Sequence, residues 1–235
     1  MAVPDRTRAL AVRDPGSSIP AYGAEIRALR PRPIDVDIRE VGPDSLDQYA
    51  RVPIAFEVAT EYRVEELDLG FRLVESPVAV PYAKDYDAGD EPDGRVANWP
   101  RSFDVSNWGF FIARESGEDV GAATVAMQTP AVHMLEGRAD LAVLWDIRVR
   151  PDRRRHGVGG ELFRHAAAWA RERGCCQLKV ETQNVNVPAC RFYAGQGCVL
   201  GGINRFGYSA CPDVAHEVML LWYLDLKDDR RSAKC

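Results

Sequence analysis

Apolar residues recur in two rhythms along this 235-residue chain. Alternation with polar residues marks a strand with one buried face, and recurrence every three or four residues marks one side of a helix. Alternation at Ile34, Val36 and Ile38 predicts a first strand, after which Pro43-Asp44 opens a helical stretch. Residues 54–80 mix both rhythms and define no single element. Asp87 to Pro100 is rich in Gly, Pro and Asp and predicts a surface loop or insertion. Trp108–Ile112 and Val120–Val125 flank Glu115-Ser116-Gly117-Glu118, the pattern of a β-hairpin. Leu141–Val149 predicts a long central strand. Val158, Leu162, Ala166 and Trp169-Ala170 fall on one face of a helix over 158–173, with Gly174 as C-cap. Cys176–Glu181 predicts the next strand, Asn186 caps a helix with Pro188 in its first turn, and Cys198–Tyr208 with Ala215–Leu226 predicts a closing hairpin. No internal repeat is visible.

The two ends depart from these rhythms. Residues 1–33 hold Pro4, Pro15, Pro20, Pro31 and Pro33 without a sustained apolar period, which predicts a disordered arm. Residues 227–235 predict a flexible tail, leaving one folded domain over 34–226. A composition of 46% hydrophobic and 28% charged residues is ordinary for a globular domain. The longest apolar runs fall far short of the roughly 18 residues of a membrane span, and the arginine-bearing N-terminus lacks the apolar region of a secretory signal. A cytoplasmic protein without a membrane partner is the expectation. The six cysteines show neither zinc spacing nor a paired framework, and four fall in apolar contexts that suit buried free thiols in a reduced compartment. Net charge is −5, and because residues 1–33 carry +3, the remaining 202 residues carry −8. An acidic body disfavours nucleic acid and favours encounter with a cationic substrate, although solubility alone accounts for such a surface equally well.

Candidate chemistry concentrates where the central strand meets the following helix. Arg154, Arg155, His156, Gly157, Val158, Gly159 and Gly160 form a basic, glycine-rich turn. Glycines let backbone approach a ligand closely, and the free N–H groups of a helix N-terminus attract phosphate. The spacing is not that of a P-loop, and a dinucleotide fingerprint is poorly matched. A pyrophosphate from another cofactor suits it better, with plain turn chemistry as the alternative. Further on comes Glu181-Thr182-Gln183-Asn184-Val185-Asn186-Val187-Pro188-Ala189-Cys190-Arg191-Phe192-Tyr193. None of His133, His156, His165 and His216 has metal-ligand spacing, so no metal is expected.

Arg154-x-x-Gly157-x-Gly159 after a strand, joined with Asn186-x-x-Ala189-x-x-Phe192-Tyr193, resembles the two acetyl-CoA motifs of the GNAT N-acetyltransferases. Within that superfamily Val180–Gln183, Ala189–Tyr193 and the ending Glu217–Tyr223 are similar to the streptothricin acetyltransferases. That likeness covers residues 105–226 and thins upstream to Glu75–Pro77 and Pro81–Tyr86. The resemblance implies an α/β GNAT fold: a mixed, mostly antiparallel sheet of about seven strands flanked by helices. It also implies acetyl-CoA as co-substrate and an amine as acceptor, the β-lysine group of a streptothricin-type antibiotic above all, and it is compatible with a homodimer. A protein N-terminus, lysine or polyamine as acceptor stays open, as does a non-catalytic module that senses acyl-CoA.

Acetyl transfer to an amine needs a base, because a primary ammonium of pKa near 10 is no nucleophile at neutral pH. Glu181, at a strand end where related acetyltransferases often place their base, is one candidate. Asp146 is the other, since a charge within Leu144-Trp145-Asp146-Ile147 is costly to bury without a role or a partner. A structural carboxylate is the plain alternative for either. Streptothricin acetyltransferases commonly have two acids in succession on this strand, and Trp145 takes the first place here. By the same resemblance Tyr193 is the acid for the departing thiolate, and Asn186 both caps its helix and touches the pantetheine arm. The backbone of Ile147, Arg148 and Val149 pairs with that arm like an added strand, leaving their side chains unconstrained. Residues 155–160, with Arg154, hold the pyrophosphate.

Overall fold

The computed structural model describes residues 35–88 and 94–227. The arm expected over 1–33 and all but the first residue of the expected tail lie outside them. Nine strands are described: β1 (Asp37–Val41), β2 (Phe56–Leu67), β3 (Gly70–Lys84), β4 (Gly109–Glu115), β5 (Glu118–Met127), β6 (Leu141–Val149), β7 (Gln177–Gln183), β8 (Val199–Asn204) and β9 (Met219–Asp225). The helices are two single turns, α1 (Leu46–Tyr49) and α2 (Trp99–Ser102), and the longer α3 (Val158–Glu172) and α4 (Val187–Gly195). Seven strands form one sheet in the order β1-β4-β5-β6-β7-β9-β8, and β2 with β3 forms a separate two-stranded ribbon. Every neighbouring pair in the large sheet is antiparallel except β6 and β7. The expected α/β architecture with about seven mostly antiparallel strands is the one observed.

Both faces of the sheet are covered, so its middle strands are apolar on both sides. β4 sends Phe111 and Ala113 toward the face packed by Val158, Leu162, Phe163, Ala166 and Trp169 of α3. It sends Phe110 and Ile112 toward the face packed by Leu46, Tyr49, Val96 and Trp99. Each fully buried Leu or Phe contributes about 1.5–3 kcal/mol relative to exposure. α3 lies close on the sheet because position 121 is glycine: a Cβ there would stand 2.8 Å from Leu162 and 3.1 Å from the Arg148 carbonyl oxygen.

Four expectations need correction. The first strand begins at Asp37, whose pairing with Arg114 is the outermost position of the β1–β4 ladder, although β4 itself runs one residue further to Glu115. Val36 precedes the strand, although it packs against the core, and Ile34 is outside the described residues. Residues 56–84 are the ribbon β2–β3, whose faces are mostly half-exposed or exposed. Without one buried face it lacks the clean alternation of a core strand. The segment ending at Pro100 is no surface loop throughout, since it buries Val96 and Trp99. Among the cysteines, Cys175, Cys190, Cys198 and Cys211 are free but Cys176 is disulfide-bonded.

Asn184, at the end of β7, ties three elements together. Its N–H donates to Val218 O at 2.9 Å and its Oδ1 accepts from Val218 N at 2.7 Å, before β9. On the ribbon side, Asn184 Nδ2 donates to Tyr62 O and Tyr62 N donates back to Asn184 O, both at 2.9 Å. Among the described residues no helix is long and apolar enough to cross a membrane.

Candidate active site

β6 and β7 are paired only from Leu141↔Gln177 to Val143↔Lys179. Beyond that they part, so β6 from Leu144 to Val149 has no strand beside it on that edge. A bulge lies at the parting: Leu144 pairs with Val125 and Asp146 with Thr124, leaving Trp145 as the extra residue. Bulges bend a strand and increase its twist. Ile147, Arg148 and Val149 all lie on the unpaired edge. The Val149 carbonyl is already engaged, accepting from Arg154 Nε at 3.0 Å, while Arg154 Nη2 donates to Ala55 O at 2.6 Å. The Arg154 guanidinium thus straps the turn to the segment before β2, which differs from an anion ligand.

The glycine-rich turn leads directly into α3. Gly157 takes φ +94° and Arg155 φ +64°, both in the left-handed region. His156 Nδ1 lies 2.9 Å from Arg154 O, and the Val158 side chain is buried in the core. The first N–H groups of α3, on Val158, Gly159 and Gly160, have no acceptor within the helix. Glu161 N makes the first helical bond, to Gly157 O at 3.1 Å. A Cβ at Gly159 would meet the Phe192 ring no closer than 3.5 Å, so protein packing does not demand glycine there. Arg155 is exposed, and none of the described residues pairs with it. Free N–H groups, a helix dipole and an available guanidinium fit a pyrophosphate.

Asp146 and Arg148, two apart on β6, face the side of the sheet covered by α1. Arg148 is 2% exposed. Its Nε and Nη2 donate to Asp146 at 2.9 and 2.7 Å, and Tyr49 Oη donates to Asp146 Oδ1 at 2.6 Å. Arg148 Nη1 also reaches Asp87 Oδ2 at 2.8 Å and Val52 O at 3.2 Å. Burial opposes the charge of Arg148, but the Asp146 carboxylate outweighs it and the guanidinium pKa is raised. Burial, then the Asp146 charge, pushes the Tyr49 phenol well above its ordinary value. The Arg148 side chain is therefore far from unconstrained, contrary to expectation. A charge-assisted network of this kind is what a buried ion pair requires.

Glu181 stands on β7 with a different environment. Its carboxylate accepts from Tyr208 Oη at 2.6 Å. Burial raises its pKa, against the opposing effects of the Tyr208 hydrogen bond and the Lys179 charge. Gln183, on the same face of β7, accepts from Tyr86 Oη, which also receives Asn186 Nδ2 at 3.4 Å. Tyr86 and Asp87 are adjacent, so one short turn reaches β7 through the first and Arg148 of β6 through the second. Asn186 caps α4 as expected, its Oδ1 accepting from Ala189 N at 3.1 Å. Tyr193, on α4, is 5% exposed and packs against Phe163 and Phe192. Burial, then the neighbouring Tyr86 and Asp146, pushes its hydroxyl far above the ordinary phenol range.

The sequence did not single out Tyr49, Lys84, Tyr86, Asp87, Tyr208 or Glu217. Pro81–Tyr86 and Glu217–Tyr223 carried part of the family likeness, which was the available signal, but it named no role for them.

A parted parallel strand pair beside a helix N-terminus, with a buried phenol and a carboxylate near the gap, defines the class. The acetyltransferase (GNAT) family model matches residues 78–198, and the chain belongs to that family. It is an acetyl-CoA-dependent N-acetyltransferase. Among its relatives, the streptothricin acetyltransferase of Escherichia coli is 34% identical over 168 residues, covering 72% of this chain and 84% of that one. The crystal structure of nourseothricin acetyltransferase aligns with TM-score 0.64 and 27% identity, over 82% of this chain and 99% of that one. A Bacillus anthracis protein described as a streptothricin acetyltransferase, solved with acetyl coenzyme A, aligns with TM-score 0.63 and 25% identity, over 82% and 98%.

Proposed function

We propose that this chain acetylates a primary amine of a streptothricin-type antibiotic, on its β-lysine group, and so confers resistance. The likeness to the Escherichia coli streptothricin acetyltransferase over 84% of that protein supports the antibiotic as acceptor. The observation that carries the chemistry is Glu181, a carboxylate with a burial-raised pKa beside the parted strands. A raised pKa makes it a stronger base near neutral pH, able to take the proton that the acceptor ammonium must lose.

Acetyl-CoA supplies the acetyl thioester. The N–H groups of residues 158–160 and Arg155 hold its pyrophosphate, and the open edge of β6 at Ile147 and Arg148 offers backbone to its arm. Tyr193 keeps its proton through the working pH range and donates it to the thiolate as the C–S bond breaks and the C–N bond forms. Asn186 holds α4, and with it Tyr193, in place. Asp146 is a positioning residue: it fixes Arg148, which in turn fixes the Tyr86–Asp87 turn. Incubation of the purified chain with acetyl-CoA and streptothricin, polyamines, lysine or peptides, read by free-thiol release, tests the assignment. Turnover with streptothricin is expected, and turnover confined to peptides or polyamines would overturn it.

A further inference from the structure

Glu217 holds a charge that its surroundings only half satisfy. It is 3% exposed, just before β9. One oxygen, Oε1, pairs with Lys84 at the end of β3. The other, Oε2, is buried with no hydrogen-bond partner. A buried ionised oxygen without a partner is costly, and native proteins rarely leave one without a reason.

The surroundings suit a cation. β9 pairs with β7 so that Met219 opposes Gln183 and Leu221 opposes Glu181, which brings Glu217 to the Glu181 end of β7. Tyr86 and Tyr208 lie near both carboxylates: burial is the main cause that raises their hydroxyl pKa values, and the charges of Glu181 and Glu217 add to it. Lys84, the cation already present, also stands 5.8 Å from the Tyr86 ring centroid.

We propose that Glu217 is a specificity-determining residue whose Oε2 takes a second ammonium of the acceptor while Glu181 serves the amine that is acetylated. Resting on the acceptor assignment above, this makes the enzyme selective for diamines, and the β-lysine group is one. Lys84 models the interaction from within the chain and shares the same carboxylate. Tyr82, 40% exposed on β3, is a further aromatic neighbour: burial first and then the Glu217 charge raise its hydroxyl pKa.

The test uses the full chain with acetyl-CoA and four acceptors: streptothricin, β-lysine amide, and its mono-amine analogues 3-aminohexanamide and 6-aminohexanamide. The unmutated enzyme should favour β-lysine amide over either mono-amine by about tenfold or more in kcat/KM. Glu217→Gln keeps shape but removes charge, and should collapse that preference through KM, with kcat changed by less than about threefold. Lys84→Met frees Oε1 as well and should raise the preference. The double variant Lys84→Met with Glu217→Gln leaves no buried charge unpaired and gives the Glu217→Gln result should the single variant not fold. An unchanged diamine preference in the Gln variants overturns the proposal alone. So does Lys84→Met losing the preference as Glu217→Gln does, which would make the pair a structural tie. Failure of the unmutated enzyme to acetylate streptothricin overturns the acceptor assignment, and this proposal with it.

Discussion

Asp146 is where a catalytic and a structural role predict opposite behaviour. Replacing it by Asn preserves volume but removes the charge that faces Arg148, whose side chain is 1% exposed beside an Asp146 side chain of 7%. Removing one partner of a buried ion pair costs about 3–5 kcal/mol. Arg148 keeps a second carboxylate, Asp87, whose side chain is 30% exposed and so partly screened by water. That places the loss at the lower end, about 3 kcal/mol, and for a domain of this size about 2–4 °C of melting temperature accompanies each kcal/mol. Asp146→Asn should therefore melt about 6–12 °C below the unmutated protein. The Tyr86–Asp87 turn should loosen with it, lowering turnover without restoration at high pH. Calorimetric melting and kinetics between pH 6 and 9.5 read both effects. A melting temperature within about 2 °C of the original, together with activity that recovers as the acceptor amine deprotonates, would falsify the positioning role and make Asp146 the base.

Glu181→Gln should lose about 10²-fold in kcat at pH 7 and recover toward pH 9.5, whereas the unmutated enzyme should show an acid limb in kcat/KM above the ordinary carboxylate range. Because the folded pKa of Glu181 is raised, its contribution to stability is full below the ordinary carboxylate value and is lost as pH rises through the folded one. Denaturation at several pH values should show Glu181→Gln flattening that fall, and identical pH dependence in both proteins would refute it. Tyr193→Phe should cost about 10²-fold in kcat with acetyl-CoA affinity unchanged by titration calorimetry, and an unaltered kcat under chemistry-limited turnover makes Tyr193 a packing residue only. Gly157→Ala, forced to φ +94°, should lose about 1 kcal/mol of stability or more, whereas Gly159→Ala should fold normally and still weaken acetyl-CoA by about tenfold. Unchanged acetyl-CoA affinity in both glycine variants removes the turn from the cofactor site.

The elements around the open edge of β6 were legible because local signals suffice for them. An amphipathic period, a glycine C-cap and an Asn cap define α3 and α4 from within a dozen residues. The ribbon β2–β3 was not legible, because a two-stranded element with two half-open faces has no single buried side to impose a period of two. Partners were the larger gap. That Asp146 is costly to bury without a partner could be argued from the sequence, but nothing local identifies Tyr49, Arg148 and Asp87 as the groups around it, 97, 2 and 61 residues from the atoms they bond. The surroundings of Glu181 suffer most, since Lys84 and Tyr86 come from the end of β3 and the turn after it and Tyr208 and Glu217 from the β8–β9 connection, two distant stretches that only the folded sheet brings together.

Three ladder positions join β6 to β7, and through them the block β1-β4-β5-β6 to the block β7-β9-β8. The large sheet is thus mechanically two plates on a short hinge at Leu141–Val143, spread beyond Val143 and Lys179. Anything seated between the plates acts as a strut that continues the sheet across the gap. The Tyr86–Asp87 turn already acts as a latch, bonded to Gln183 on one plate and Arg148 on the other. The stiffness of the molecule is consequently not a property of the chain alone: any molecule held along the opening adds to it.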